Sequence, residues 1–299
     1  MSSILIEGMY GLGDNIYQRP FIRSALAIYS RVFLKTAWPQ LYADMPLLHF
    51  VNPETGLRTQ AKNVAAWPGV WEHPRQAPRI RLSYGVVELK TMGIVESLRK
   101  RATWHGEYPL VWDAPKFDVA VRQGPRYAIV RPVTVRQEWK SQARGCDPAY
   151  VQHAIYALKD RGYRVVSLAD VDGAAERFVG DPPRGADVEY HHGELRVDQI
   201  IELVRKAAVC VGGVGWLAPM CFAIGTPLFL IYGGRGAHNA PEVITHATMG
   251  LRHVEHVLPD NFCRCDQPEH DCDKRISNFE RRFEEFLTKI EMKHGPALG

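Results

Sequence analysis

Residues 209–234, Val-Cys-Val-Gly-Gly-Val-Gly-Trp-Leu-Ala-Pro-Met-Cys-Phe-Ala-Ile-Gly-Thr-Pro-Leu-Phe-Leu-Ile-Tyr-Gly-Gly, limit the fold more than any other stretch. Two short apolar runs, 209–211 and 227–232, flank a helix-length segment, 216–224, that closes on Gly225. Such runs alternating with a helix describe a parallel sheet buried on both faces. Gly212, Gly213 and Gly215 follow the first run, and Gly233 and Gly234 follow the second. Those positions are the carboxyl ends of the strands, where open α/β sheets bind ligands. Backbone N–H groups of a glycine-rich turn feeding a helix suit a phosphate. The same glycines also serve a plain tight turn with no ligand.

The other segments extend this pattern. With 299 residues, the chain is long enough for two domains of about 120–170 residues each. It is 46% hydrophobic and 23% charged, without a low-complexity tract, which places it among globular proteins. No apolar run approaches the roughly 20 residues of a membrane span, and Met1-Ser-Ser opens no signal peptide. Two of the six cysteines, Cys210 and Cys221, lie in apolar surroundings, which argues against a disulfide framework. A cytoplasmic protein is expected. The net charge of +4 is too mild to imply nucleic acid by itself, but it suits anionic substrates or peripheral contact with the inner membrane face.

Residues 4–7 read as a first strand running into Gly8-Met-Tyr-Gly-Leu-Gly-Asp14 and then a helix to Ile28. Pro20 suits only the first turn of a helix, so the start is expected within 14–20. Further strands are expected at 32–35, 47–51 and 79–84. The Trp-, Pro- and Gly-rich segment 104–126 carries the expected domain boundary, separating 1–122 from 123–275. The second unit opens with a strand at 127–131. A helix capped by Asp147 and Pro148 and ended by Gly162 follows. Next come strands at 164–168 and 187–190 and a helix at 197–207. Repeated strand–helix units predict an α/β protein of two Rossmann-like domains facing a cleft. The final segment, 276–299, carries a helix whose capping box is Ser277 and Glu280. Its stripe of Ile276, Phe279, Phe283, Phe286, Leu287 and Ile290 is expected to pack back across the junction.

Three motifs, in order, resemble the family 9 glycosyltransferases, the ADP-heptose:lipopolysaccharide heptosyltransferases. They are Gly-Leu-Gly-Asp14 followed by Pro20, the Gly225-Thr-Pro segment running to Gly234, and Cys263-x-Cys265 with His270-x-Cys272 before a charged helix. The resemblance implies a GT-B fold, an inverting mechanism and a nucleotide-diphosphate-sugar donor, with no further cofactor. It also shows a departure. Where the family often carries an acid or Thr and then a His, this chain has Val214, Gly215 and Pro219, so the donor sugar is not necessarily heptose.

Asp14 is the candidate general base, since inverting transfer needs one carboxylate to take the acceptor hydroxyl's proton. The competing reading is a helix N-cap. Gly11, Gly13 and Asn15 would form the acceptor loop around it. The resemblance places donor-diphosphate contacts at Arg131, Arg136 and Lys140, with Gly213, Gly215, Gly234, Arg235 and His238 completing the donor side and Asn239 beside them. His191 and His192 are expected at the surface. The cysteine cluster has zinc-like content, but its spacing is not that of a standard finger, so a structural turn is expected before a zinc site. The acceptor is a lipopolysaccharide-type saccharide or, alternatively, a hydroxymethylated base in DNA; no obligate protein partner is evident. A nucleotide-binding oxidoreductase is disfavoured because Gly8-x-x-Gly11-x-Gly13 is not the dinucleotide spacing. A non-catalytic nucleotide-binding protein is the third reading.

Overall fold

The computed structural model describes residues 2–121, 124, 126–137 and 142–294. The first unit consists of β1 (Ser3–Glu7), α1 (Leu12–Ile28), β2 (Arg31–Lys35), β3 (Leu48–Val51), α2 (Arg58–Ala65), β4 (Arg79–Arg81) and α3 (Val86–Arg101). Its strands form a parallel sheet in the order β3-β2-β1-β4. After α3, the described residues up to 126 form no regular element; the boundary expected between 122 and 123 lies outside the described residues.

The second unit begins with β5 (Tyr127–Arg131), β6 (Thr134–Arg136), α4 (Pro148–Asp160) and β7 (Arg164–Leu168). It continues through β8 (Glu176–Phe178), β9 (Val188–Tyr190), α5 (Val197–Lys206), β10 (Val209–Gly213), α6 (Leu217–Ile224) and β11 (Leu228–Ile231). Two one-turn helices, α7 (Gly236–Asn239) and α8 (Pro241–Ile244), lead to β12 (Val254–Val257) and the terminal α9 (Phe279–His294). Six strands pair in parallel as β12-β11-β10-β5-β7-β9, while β6 and β8 form a separate antiparallel pair.

The two sheets share one logic. Counted within its own unit, each sheet starts with its first strand, adds the second and third on one side, and places the fourth on the other. The order therefore reverses between β1 and β4 in the first sheet and between β5 and β10 in the second. Loops leaving the strands at such a reversal splay apart and leave a crevice. The protein has two such crevices, one in each sheet.

Close backbone approach holds the junction. A Cβ on Gly13 would stand 3.1 Å from Pro219 Cγ and 3.3 Å from Trp216 Cα, so the first glycine loop lies directly on the start of α6. Gly93 kinks α3 at φ 72°, and a Cβ there would meet the Val243 carbonyl at 2.9 Å. Tyr17 donates to the Ile244 carbonyl at 2.6 Å. On the opposite edge, Arg58 and Thr59 of α2 bind the Asp170 carboxylate, each at 2.6 Å.

Four local expectations are corrected. α1 begins at Leu12, so Pro20 lies in the helix interior and not in its first turn. Ser277 does not cap α9; its backbone N–H and hydroxyl both go to the Asp260 carboxylate, and the helix starts at Phe279. The aromatic stripe of α9 does not cross the junction. Phe279, Phe283 and Phe286 close on Phe229 of β11 and, with α4, cover the outer face of the second sheet. His191 is buried with Nε2 2.8 Å from Ser167 Oγ, whereas His192 is exposed as expected. No helix among the described residues is long and apolar enough to cross a membrane.

Candidate active site

A cavity of about 860 Å³ opens where the two crevices meet, and loops of both units line it. From the first crevice come Gly11, Gly13 and Asp14 after β1, and Tyr84 after β4. From the second come Arg131 at the end of β5, Gly213 at the end of β10 with Gly215 and Trp216 after it, and Arg144 in the loop before α4. Arg136 and Glu176, on the β6–β8 pair, form one wall, and Arg235 and His238 another.

Asp14 is not an N-cap. Gly11 occupies that position, and Asp14, three residues on, folds its carboxylate back towards the Gly11 N–H. A Cβ on Gly11 would overlap the Asp14 carboxylate oxygen, so this glycine makes room for the acid. The Tyr84 hydroxyl donates to Asp14 Oδ1. Burial pushes the Asp14 pKa above the usual carboxylate range, against the lowering effects of the Tyr84 hydrogen bond, the Arg144 charge and the Gly11 amide.

Arg131 is a buried cation with weak partners. Its guanidinium lies 4.0 Å from Glu176, 3.4 Å from Thr134 Oγ1 and 5.9 Å from the Trp216 ring centroid. Glu176 is already engaged by Arg136 at 2.7 Å and by the Thr134 hydroxyl at 2.6 Å. Burial lowers the Arg131 pKa to about 10; Glu176 opposes the shift, while Arg144 and Arg136 add to it. The Nε atoms of Arg131 and Arg144 are both buried without a hydrogen-bond partner among the described residues. Burial also lowers the pKa of Arg144, against the raising effects of Asp14 and Tyr84. Two guanidiniums short of acceptors, on the wall facing a carboxylate, make a site for a multiply charged anion.

Gly215 lies against this cation: a Cβ there would stand 2.7 Å from Arg131 Nη1, so the guanidinium would have to shift. Arg235 holds a left-handed backbone, φ 55° and ψ 42°, that side-chain-bearing residues seldom adopt. The Asn239 amide braces this turn by donating to the Arg235 carbonyl at 3.0 Å. His238 Nε2 is buried without a partner among the described residues. Burial, then the Arg235 and Lys90 charges, lower its pKa and favour the neutral ring.

The cavity thus gathers Gly11, Gly13, Asp14, Arg131, Arg136, Gly213, Gly215, Arg235 and His238. Two expected residues lie elsewhere. Asn15 is fully buried and braces the loop, donating to the Met9 and Gly11 carbonyls at 2.7 and 2.8 Å. Gly234 does not line the cavity, because its N–H is held by the Ala143 carbonyl at 2.6 Å. Lys140 lies outside the described residues. Arg144, Tyr84, Trp216 and Glu176 are added by the structure; only the clustering of basic residues after Arg131 hinted at one of them, Arg144.

The sequence matches no protein-family model and no curated protein. Solved structures do match. The chain is similar to the iron-containing dodecameric glycosyltransferase TibC of enterotoxigenic E. coli, with 16% identity, a TM-score of 0.66, and coverage of 98% of this chain and 77% of that one. It is similar to the E. coli ADP-heptose lipopolysaccharide heptosyltransferase II, with 14% identity, a TM-score of 0.59, and coverage of 98% and 99%. It is also similar to a family 9 glycosyl transferase of Veillonella parvula, with 11% identity, a TM-score of 0.59, and 98% of both chains covered. Two Rossmann-like units around one cleft, matched over nearly the whole chain by these structures, give this protein the GT-B fold.

Proposed function

We propose that this chain is an inverting glycosyltransferase that moves a sugar from a nucleoside-diphosphate carrier to a hydroxyl of a saccharide acceptor. The observation that carries the reading is the pairing of the two walls. A single carboxylate from the first crevice faces buried, under-neutralised guanidiniums from the second. In such a transfer, the acceptor oxygen attacks the anomeric carbon while Asp14 takes its proton. The bond from that carbon to the diphosphate oxygen breaks, and negative charge grows on the departing diphosphate. Arg131 and Arg144, with N–H groups of the turn before α6, offer fixed positive charge where it grows.

The donor class follows from the fold and the residues together. Solved neighbours include TibC in complex with ADP-D-β-D-heptose, so ADP-linked sugars are the first to test. The acceptor is proposed as a lipopolysaccharide-type saccharide on the strength of heptosyltransferase II. A dinucleotide reading gains nothing from the strand order alone. The first turn of the second unit is Arg131-Pro132-Val133-Thr134 and lacks the glycine fingerprint that a pyrophosphate-binding turn needs there. Nucleoside diphosphates and ADP-sugars should raise the melting temperature, while NAD should not. Stabilisation by NAD alone would overturn the proposal. Release of nucleoside diphosphate on adding a saccharide acceptor would establish transfer.

A further inference from the structure

Charge in the cavity is divided by unit. Its arginines, Arg131, Arg136, Arg144, Arg196 and Arg235, all come from the second unit. Among the described residues the first unit contributes one cation, Lys62 of α2, whose ammonium donates to the Gly193 carbonyl. Arg58 and Lys90 do not line the cavity, and both are paired with acids: Arg58 with Asp170 at 2.6 Å and Asp172 at 2.9 Å, Lys90 with Asp266. The one first-unit acid among the lining residues is Asp14. A molecule that brought an anionic group to this wall would meet a carboxylate and no unengaged cation. The cost of stripping water from its charge would go unopposed.

What the wall offers is neutral. The Asn63 amide nitrogen donates to the Ala37 carbonyl and, at 2.9 Å, to Gln40 Oε1. Asn63 Oδ1 is left as an acceptor and the Gln40 NH₂ as a donor, neither with a hydrogen bond among the described residues. A hydroxyl donates and accepts at once, and so matches that pair. A phosphate or carboxylate only accepts, and would face Asn63 Oδ1 oxygen to oxygen. Trp38 and Trp67 add ring surface to the same wall. Trp38 is fixed by its Nε1–H, which donates to the Tyr10 carbonyl at 2.7 Å. Phe50 meets Trp67 edge to face at 5.4 Å, and a Cβ on Gly69 would stand 2.6 Å from Trp67 Cε2, so the indole is held from two sides. The C–H faces of a pyranose are apolar and pack on such rings, while its hydroxyls take the polar partners. We propose that the acceptor is a saccharide whose reacting end is uncharged, seated on the wall of Trp38, Gln40, Asn63 and Trp67. The inference rests on the transferase reading above and narrows its acceptor: the guanidiniums serve the donor diphosphate, and the acceptor is selected by hydroxyls and apolar faces.

The test uses the full chain saturated with ADP, UDP or GDP, whichever raises its melting temperature most. Calorimetry then compares a delipidated lipopolysaccharide core oligosaccharide with the same oligosaccharide after its phosphates are removed and its carboxylates reduced to alcohols. The uncharged form should bind at least about tenfold more tightly. Trp67→Ala should weaken that binding about tenfold and Trp67→Phe far less, with nucleoside diphosphate affinity unchanged in both. Gln40→Glu, which replaces the open donor by an acid and leaves the ring wall intact, should weaken it at least as much. Equal or tighter binding of the phosphorylated oligosaccharide would overturn the proposal. So would binding of neither form by a chain that holds nucleoside diphosphate. Capture of an uncharged Ser- and Thr-rich peptide in place of both would overturn it in favour of a polypeptide hydroxyl. Failure to bind any nucleoside diphosphate would instead overturn the transferase reading, and this inference with it, so the two failures are told apart by the first titration.

Discussion

The loops that leave β10 and β11 look alike in sequence and do different work. Both end an apolar strand on consecutive glycines and both lead into a helix. After β10, Gly213 and Gly215 face the cavity, and the space that a side chain at 215 would need is filled by Arg131. After β11, Gly233 and Gly234 face protein, since Cβ atoms there would overlap the Gly145 carbonyl and the Cys272 sulfur. One loop is glycine-rich where a cation lies against it at the cavity wall, the other where two chain segments pack. Glycine reports only that something comes close. What comes close is decided by distant residues, here Arg131 in one case and 143–145 with the cysteine turn in the other.

The loop after β1 belongs with the open kind, and replacing its acid should give the largest effect. Asp14→Asn keeps shape and loses the base, so turnover should fall about 10²–10⁴-fold with donor affinity nearly unchanged. The same change should raise the melting temperature at neutral pH. A carboxyl whose folded-state pKa is raised stabilises the fold fully below its unfolded value and loses that contribution as pH rises through the folded value. Asn removes the cost of holding a buried charge at pH 7. Near-normal turnover with the true acceptor, measured by nucleoside diphosphate release, would leave Asp14 as a brace for Gly11.

Arg131→Ala comes next and probes the loop after β10. Calorimetry should show nucleoside diphosphate binding about 10–100-fold weaker, the scale of a lost charge-assisted hydrogen bond of about 1.5–3 kcal/mol. Unchanged affinity in a folded variant would remove Arg131 from the proposed donor site. Gly234→Ala probes the closed loop and should behave oppositely. It should destabilise the fold by about 1–3 kcal/mol, the cost of overpacking, because Cys272 and Ala143 have to move. If this variant instead kept its melting temperature and lost nucleotide affinity, the two loops would be of one kind after all.

The fold was legible in the sequence because buried parallel strands announce themselves as apolar runs, and the helix at 148–160 announces its start through Asp147 and Pro148. Asp14 was legible as a cavity residue because it stands beside two glycines soon after the first strand. The rest needed three dimensions. Nothing local to Tyr84, some 70 residues from Asp14, says that the two loops flank one crevice; that follows from β4 pairing with β1. Arg144 was missed because a basic residue in a loop is most often solvated, and only burial makes it a cation short of acceptors. Gly234 was misassigned for the reason that separates the two loops.

Tyr84→Phe should give the smallest effect and is the finest test of how the open side is tuned. The Tyr84 hydroxyl donates to the Asp14 carboxylate and so favours its charged form. Burial works the other way and dominates, which puts the ionisation of Asp14 above the usual carboxylate range. A base is active only when ionised, so kcat/KM should fall as pH drops through that raised value. Removing the hydroxyl takes away one of the influences that hold the pKa down. The acid limb of the profile should therefore move to higher pH, with turnover at alkaline pH close to that of the parent. Tyr84 cannot supply the change by its own titration, because burial and the neighbouring Asp14 push its phenol well above the ordinary tyrosine range. A limb displaced to lower pH would mean that losing the hydroxyl lets water reach the carboxylate. Tyr84 would then be a wall that keeps Asp14 dry, and burial rather than hydrogen bonding would be its contribution to the site.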